Sequence, residues 1–258
     1  MTHQSAALVA GASRGIGAAF VEALLQRRDI DQVHAVSRQP DKSDLLTGLR
    51  SAHPSRLFLH QADCTSETAL TTLPERIGAC LADGQKPRLR LLINCIGLLH
   101  DEQRDILPEK KLEQVSMASL EALFRVNAIV PILLARTFLP WLHHDQPACF
   151  ATLSARVGSI TDNRLGGWYS YRASKAAQNQ LLHTFAIEAQ RRVPSLTCLA
   201  LHPGTTDTGL SQPFQRHVAQ EKLFSPHFVA QRLLQIIDSA GVEQSGGFYA
   251  WDGSSIPW

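Results

Sequence analysis

Ala6-Ala7-Leu8-Val9-Ala10-Gly11-Ala12-Ser13-Arg14-Gly15-Ile16-Gly17 is the stretch on which the fold turns. Its first five residues are an apolar run of strand length. After Gly17 the chain is amphipathic, with Phe20, Ala23 and Leu24 on one side and Glu22 and Gln26 on the other. The glycines therefore lie between a buried strand and the first turn of a helix. Glycine lets a backbone turn sharply and approach a pyrophosphate, while the free N–H groups and dipole of a helix N-terminus favour an anion. The spacing is G-x-x-x-G-x-G, not the G-x-G-x-x-G of the common dinucleotide fingerprint. A glycine-rich turn alone is as readily an ordinary loop; the strand before it and the helix after it give it weight.

The same alternation continues along the chain. Residues 33–36 read as a second strand and 57–60 as a third, which runs to Asp63-Cys64 before a helix start at Ser66-Glu67. Residues 39–56 read as loop and surface helix. Residues 89–96 are nearly continuous in branched apolar side chains, as in a strand buried on both faces, and close on Asn94-Cys95-Ile96-Gly97. Ser116 opens a long apolar-periodic helix with Asn127 in its middle. A fifth strand at 148–153 delivers Ser154 at its carboxyl end, and a sixth at 196–201 runs into His202-Pro203-Gly204-Thr205-Thr206-Asp207-Thr208. A helix over 229–237 and a last strand over 246–251 complete the chain. Strand, helix and strand in repetition predict one α/β domain over 1–258, a doubly wound, Rossmann-type parallel sheet with helices on both faces, whose ligands gather at the carboxyl ends of the strands.

Composition excludes several classes. A chain of 258 residues that is 44% hydrophobic buries a substantial core, and its net charge of +2, mixed along the length, offers no stripe for nucleic acid. Cys64, Cys80, Cys95, Cys149 and Cys198 are odd in number and lack C-x-x-C spacing, so they read as buried thiols in a reducing compartment, the cytoplasm. No basic leader precedes an apolar run, and nothing reads as a membrane span. The histidines show no metal-ligand spacing, so no metal is expected.

The residues just after the second strand bear on the cofactor. A carboxylate there would take an adenosine ribose 2′-hydroxyl, but the chain has Ser37-Arg38, with Arg14 in the glycine turn as well. Arg38 alone is as readily a solvated loop charge. Two planar guanidiniums and a hydroxyl with no acid suit a 2′-phosphate, which favours NADP over NAD. Asp63 either meets the adenine amino group or caps the next helix.

The chemistry points to Tyr171-Arg172-Ala173-Ser174-Lys175. On a helix Tyr171 and Lys175 share a face, and an ammonium held near a phenol favours the phenolate and makes the pair an acid/base catalyst. Such a pair alone also arises by accident.

Gly11-x-x-x-Gly15-Ile16-Gly17, Asn94-Cys95-Ile96-Gly97, Asn127 and Tyr171-x-x-x-Lys175 in this order resemble the short-chain dehydrogenase/reductase family over essentially the whole chain. Residues 158–172 and 247–258 resemble more narrowly its C-factor and sniffer-like carbonyl reductase branch. The resemblance implies an NADP-dependent oxidoreductase that moves hydride between nicotinamide and a carbonyl or secondary alcohol. Tyr171 would be the general acid/base, Lys175 would lower its pKa and hold the nicotinamide ribose, and Ser154 would hydrogen-bond the substrate oxygen. Asn127 would distort its helix, its main-chain carbonyl holding a water that links Lys175 to solvent. Gly11, Ser13, Arg14, Gly15, Ile16, Gly17, Ser37, Arg38, Asp63, Cys64, Asn94, Ile96, Gly97, Tyr171, Lys175, Pro203, Gly204, Thr206 and Thr208 would hold the cofactor. Residues 208–228 would form a lid whose Leu210, Phe214, Leu223 and Phe224 give the substrate an apolar wall, and the helix beginning near Ser174 would support a homodimer or homotetramer.

Two departures stand out. The Thr usual before the first glycine is Ala10, and the usual Asn-Asn-Ala-Gly is Asn-Cys-Ile-Gly. The catalytic serine of the family lies about 13 residues before the tyrosine, where this chain has Gly158. Ser154, at a strand end, and Ser159, in the following loop, are the two candidates; the strand end is the more rigid support. A second reading, a nucleotide-loaded signalling module with little turnover, has no use for Tyr171 and Lys175, and neither has a methyltransferase on the same sheet type.

Overall fold

The apolar run at 6–10 is the centre of the sheet. Strand β1 (Ser5–Ala10) is flanked on one side by β2 (Gln32–Ser37) and then β3 (Leu57–Gln61), and on the other by β4 (Arg88–Asn94), β5 (Ala148–Leu153), β6 (Leu196–His202) and the edge strand β9 (Gly247–Ala250), while β7 (Thr205–Thr206) and β8 (Leu223–Phe224) form a separate two-stranded sheet. All seven strands of the main sheet run parallel. Strand order reverses on either side of β1, so a crevice opens between the carboxyl ends of β1 and β4, where open α/β sheets bind their ligands. This is the Rossmann-type fold expected. The computed structural model describes residues 4–79 and 87–258, so Cys80 lies outside the described residues.

Both faces of the sheet are covered, which is why β1 and β5 read as unbroken apolar runs rather than alternating ones. Helices α1 (Gly15–Leu25), α2 (Asp44–Ala52) and α7 (Pro226–Ser239) build one core with Leu24, Leu46 and Leu233. Helices α3 (Glu67–Gly78), α5 (Val130–Leu142) and α6 (Tyr169–Arg192) build the other with Leu73, Phe138 and Ala186. Ser43 and Ser66 cap α2 and α3 by accepting from Leu46 N and Ala69 N.

The long helix expected after Ser116 is broken in the middle. It comprises α4 (Met117–Phe124), a π-helical turn at Arg125–Ile129, and α5, with Asn127 in the widened turn and fully buried. One segment also corrects the expectation that nothing reads as a membrane span. Met117–Leu142 has the length, and an 18-residue window within it has a mean hydropathy of 1.6, so it passes for a span by length and composition alone. Its apolarity has a local reason: α5 packs on β4 and β5, and α4 and the π turn pack on α6. The last strand ends at Ala250, just before Trp251, whose ring packs at a tilt against Phe224 and Phe228.

The turn after β1 is set by two glycines. Gly11 has φ +81°, a conformation that a side chain resists. Gly17, the third residue of α1, lies so close that an added Cβ would collide with the Gly11 carbonyl, which is backbone and cannot swing away. Gly17→Ala should therefore lower stability by ~1–3 kcal/mol through overpacking, read as a lower denaturant midpoint of the ligand-free protein. An unchanged midpoint would mean that the turn opens without cost.

Candidate active site

A cleft of about 2210 Å³ runs along the carboxyl ends of β1, β4, β5 and β6. Drug-sized ligands fill roughly 300–1,000 Å³, so this space admits a dinucleotide with a second molecule beside it. Gly11, Ser13, Arg14, Gly15, Ile16 and Gly17 line one end, with Ser37, Arg38, Asp63 and Cys64. Ile96, Gly97, Pro203, Gly204, Thr206 and Thr208 line its middle, and Ser154, Tyr171 and Lys175 line the other end. The glycine turn and the loop after β6 face each other closely, for a Cβ on Gly15 would lie 3.0 Å from Thr208 Cγ2.

Two residues of the expected set stand behind this surface. Asn94 is fully buried; its Nδ2 donates to Thr152 Oγ1 (2.9 Å) and its Oδ1 accepts from Ile96 N (3.2 Å), so it shapes the 95–97 turn rather than reaching into the cleft. Asn127 does likewise for the next residue: its Oδ1 accepts from Leu98 N (2.7 Å) and its Nδ2 donates to Leu98 O (2.8 Å) and Ser174 Oγ (3.0 Å). A mid-helix Asn with every side-chain atom engaged inside is the reverse of the outward-facing side chain that composition favours. Of the two readings for Asp63, helix capping is not realised, since Ser66 takes that place and Asp63 accepts from Thr65 N and Oγ1.

The nucleotide end carries the features a dinucleotide anion needs. Helix α1 has no side-chain cap and no acidic residue in its first turn, so its leading N–H groups face the cleft without a competing side-chain acceptor. Ser37 Oγ is buried there without a hydrogen-bond partner. Among the described residues the guanidiniums of Arg14 and Arg38 form no hydrogen bond or ion pair, whereas Arg27, Arg50, Arg136 and Arg156 are each paired with a carboxylate. Lys42 and Ser43 line the same end, and Ser43 Oγ donates to Ser13 O (2.9 Å), tying the glycine turn to the start of α2. Sequence reasoning passed over both, because only the folded chain brings the loop after β2 back onto the glycine turn.

At the other end, β5 and α6 meet through buried polar contacts. Tyr171 and Lys175 are only 6% and 3% exposed. Lys175 Nζ donates to Leu153 O (2.9 Å) and Gln178 Oε1 (2.8 Å), and lies 6.0 Å from the centre of the Tyr171 ring. Neither partner is charged, and burial pushes the Lys175 ammonium down to about 7 while it pushes the Tyr171 phenol well up. The expectation that Lys175 draws the phenol down is therefore not met: desolvation dominates both groups. Ser154 Oγ donates to Asn179 Oδ1 (2.6 Å) and lines the cleft. Ser159 is buried outside the cleft lining, its Oγ accepting from Asp162 N (3.1 Å).

Helix α6 begins at Tyr169, five residues before the start expected near Ser174. Trp168 precedes it in the left-handed region at φ 52°, with no side-chain cap of its own. Glu109, 3% exposed, supplies the cap from a distant loop: its carboxylate accepts from Ser170 N (3.3 Å) and Ser170 Oγ, and its carbonyl accepts from Trp168 N. A carboxylate at a helix N-terminus also complements the dipole. Nothing local marks Glu109, which is 60 residues away in the chain. Trp168 then packs edge-on to Tyr171 and against Phe214, and Leu98 and Leu210 join this apolar cluster. Of the segment expected to form a lid, Leu210 and Phe214 line the cleft, but Leu223 and Phe224 do not. Those form β8 beside β7, with Phe224 held between Gly204 and Trp251.

The state of Lys175 gives a pH signature. In the unfolded chain a lysine keeps its proton up to ~10.4, whereas the folded protein releases it above about 7, so between these values the unfolded chain binds more protons and the stability relative to a neutral side chain rises with pH. The difference in melting temperature, Lys175→Met minus wild type, should accordingly be most positive at or below neutral pH and fall as the pH is raised toward 10. A difference independent of pH would mean that Lys175 keeps an ordinary pKa.

Comparison with known proteins agrees with this geometry. The family model described as short chain dehydrogenase matches residues 5–219. C-signal of Myxococcus xanthus is 31% identical over 147 residues, 57% of this chain and 83% of that protein. The NADPH-bound carbonyl reductase from chicken fatty liver superposes with a TM-score of 0.85 at 26% identity, covering 100% of this chain and 96% of that one. A carbonyl reductase from Pseudomonas aeruginosa PAO1 gives 0.79 at 28% identity, covering 99% and 100%. The family match spans most of the chain, and the chain belongs to the short-chain dehydrogenase family of oxidoreductases.

Proposed function

We propose that residues 1–258 form one catalytic domain acting as an NADPH-dependent carbonyl reductase on an apolar, ring-bearing aldehyde or ketone. The observation that carries this reading is the convergence of buried Tyr171, Lys175 and Ser154 at the junction of a dinucleotide-sized groove and a pocket walled by Trp168, Phe214, Leu98 and Leu210. Carbonyl reductases bound to NADPH and to NADP among the structural neighbours support the choice of cofactor and substrate class.

When bound, the nicotinamide supplies the hydride. The residues of the chain do the rest: the glycine turn and the N-terminus of α1 hold the pyrophosphate, and Arg14 and Arg38 hold the 2′-phosphate. Tyr171 gives its hydroxyl proton to the substrate oxygen as negative charge develops there. Burial keeps the phenol protonated beforehand, which suits an acid. Lys175 stabilises the phenolate left behind when it carries its own proton, and Ser154 donates to the substrate oxygen. Ser154 is preferred to Ser159 because only Ser154 lines the cleft. Trp168 and Phe214 keep water from the reacting atoms. The free thiols of Cys64, Cys95, Cys149 and Cys198 suit a cytoplasmic enzyme, and exposed Leu181 and Ile187 on α6 suit a homodimer or homotetramer.

The likeness to C-signal supports a second reading, a nucleotide-loaded signalling module with little turnover. Loss of NADPH absorbance with a panel of aldehydes, ketones and quinones separates the two; no turnover of any of them would favour the module.

Tyr171→Phe removes only the hydroxyl. It should leave NADPH affinity nearly unchanged and lower kcat by ~10²–10⁴, and retention of a tenth or more of the wild-type kcat, roughly, would remove Tyr171 from the acid role. Neutral replacement of Arg14 and Arg38 together should raise the Kd for NADPH far more than that for NADH, since only NADPH carries the 2′-phosphate. Equal losses, measured by fluorescence titration, would place the arginines on a group both cofactors share.

A further inference from the structure

Asn179 stands on α6 one turn beyond Lys175 and is 2% exposed. Its Oδ1 accepts a hydrogen bond from Ser154 Oγ (2.6 Å), while its Nδ2 is buried with no hydrogen-bond partner. Orphaned buried N–H donors are rare, because nothing offsets the water they lose. The arrangement also aims the serine the wrong way for catalysis. A hydroxyl has one proton, and here it points into the helix, leaving only lone pairs for the cleft. A serine in that state cannot donate to a developing oxyanion.

A half-turn of the Asn179 amide exchanges its oxygen and nitrogen with little change of shape. Nδ2 then donates to Ser154 Oγ, and the serine proton is free to point outward. Oδ1 moves to the place Nδ2 held, beside Gly158, where an added Cβ would lie 3.2 Å from it and where glycine leaves room. A carbonyl short of a partner is better tolerated there than an N–H. We propose that Asn179 is the positioning residue for Ser154, its amide donating to Ser154 Oγ during turnover so that the serine proton is presented to the substrate carbonyl. An Asn can serve both orientations, since one end accepts and the other donates. The inference rests on the role of Ser154 proposed above, through which Asn179 acts; it does not itself touch substrate.

The test uses the full chain with NADPH and a carbonyl compound that the wild type reduces. Ser154→Ala, Asn179→Ala, the double variant and Asn179→Asp are compared by kcat, KM, melting temperature and NADPH Kd. Ser154→Ala should lower kcat by roughly 10²–10³. Asn179→Ala should lower it on the order of tenfold with NADPH Kd unchanged, and should add nothing on the Ser154→Ala background. Asn179→Asp is nearly isosteric, but an ionised carboxylate only accepts. Its kcat should fall more steeply with rising pH than that of the wild type, recovering at low pH where the protonated carboxyl donates. Wild-type kcat for Asn179→Asp at every pH, or an Asn179→Ala loss undiminished without Ser154, would overturn the positioning role. Wild-type activity for Ser154→Ala would instead overturn the reading of the serine on which the inference stands. Should Asn179→Ala fail to fold, the pH profile of the Asp variant decides.

Discussion

The site depends on a seam of buried polar groups between the end of β5 and the inner face of α6. Thr152 Oγ1 accepts from Asn94 and Gln178, Leu153 O accepts from Lys175 and Gln178, and Ser154 meets Asn179. Every one of these side chains is removed from water. In a low-dielectric interior a partnerless polar group is costly, so the seam admits one register of helix against strand. A slip by one residue would strand an ammonium and an amide without acceptors. Tyr171 and Lys175 are held in place by this constraint more than by any contact with each other, since Lys175 lies 6.0 Å from the Tyr171 ring.

A second anchor comes from the opposite direction. The loop between β4 and α4 grips the site twice, through Leu98 on Asn127 and through Glu109 on the first turn of α6. The π turn at Arg125–Ile129 is the local consequence of the first grip: Asn127 turns inward to reach both Leu98 and Ser174, and the helix widens around it. Strand end, helix start and widened helix are thus fastened to one another around the buried lysine. The 208–228 segment lies beside this frame, tethered where β8 pairs with β7 and touching the site through Phe214 on Trp168.

The two ends of the cleft differ in electrostatic character for a physical reason. At the glycine-turn end the cations are exposed and without ion pairs, and an uncapped helix N-terminus adds to the positive field, an arrangement that suits an anion. At the catalytic end the charge is buried and its proton loosened, and the surrounding groups are neutral amides, hydroxyls and aromatic rings. In the function proposed, ionic attraction would serve binding, while desolvation would tune proton transfer.

Much of this was legible in the chain itself. The strand–glycine–helix junction at 6–17, the continuous apolar strands and the carboxyl-end positions of Ser154 and Thr206 follow from local periodicity and backbone chemistry, which depend on residues a few places apart. The parallel, doubly wound sheet, the glycine turn and the 171–175 pair could be read in this way. The inward turn of Asn127, the retirement of Asn94 behind the turn it shapes, the capping of α6 by Glu109, the return of Lys42 and Ser43 to the glycine turn and the removal of Leu223 and Phe224 from the pocket wall could not. Each depends on partners brought together across tens of residues, and so did the protonation of Lys175 and Tyr171. Sequence determined the residue types and their local spacing, whereas tertiary structure alone decided burial, and burial set which polar atoms found partners and which way each proton leaned.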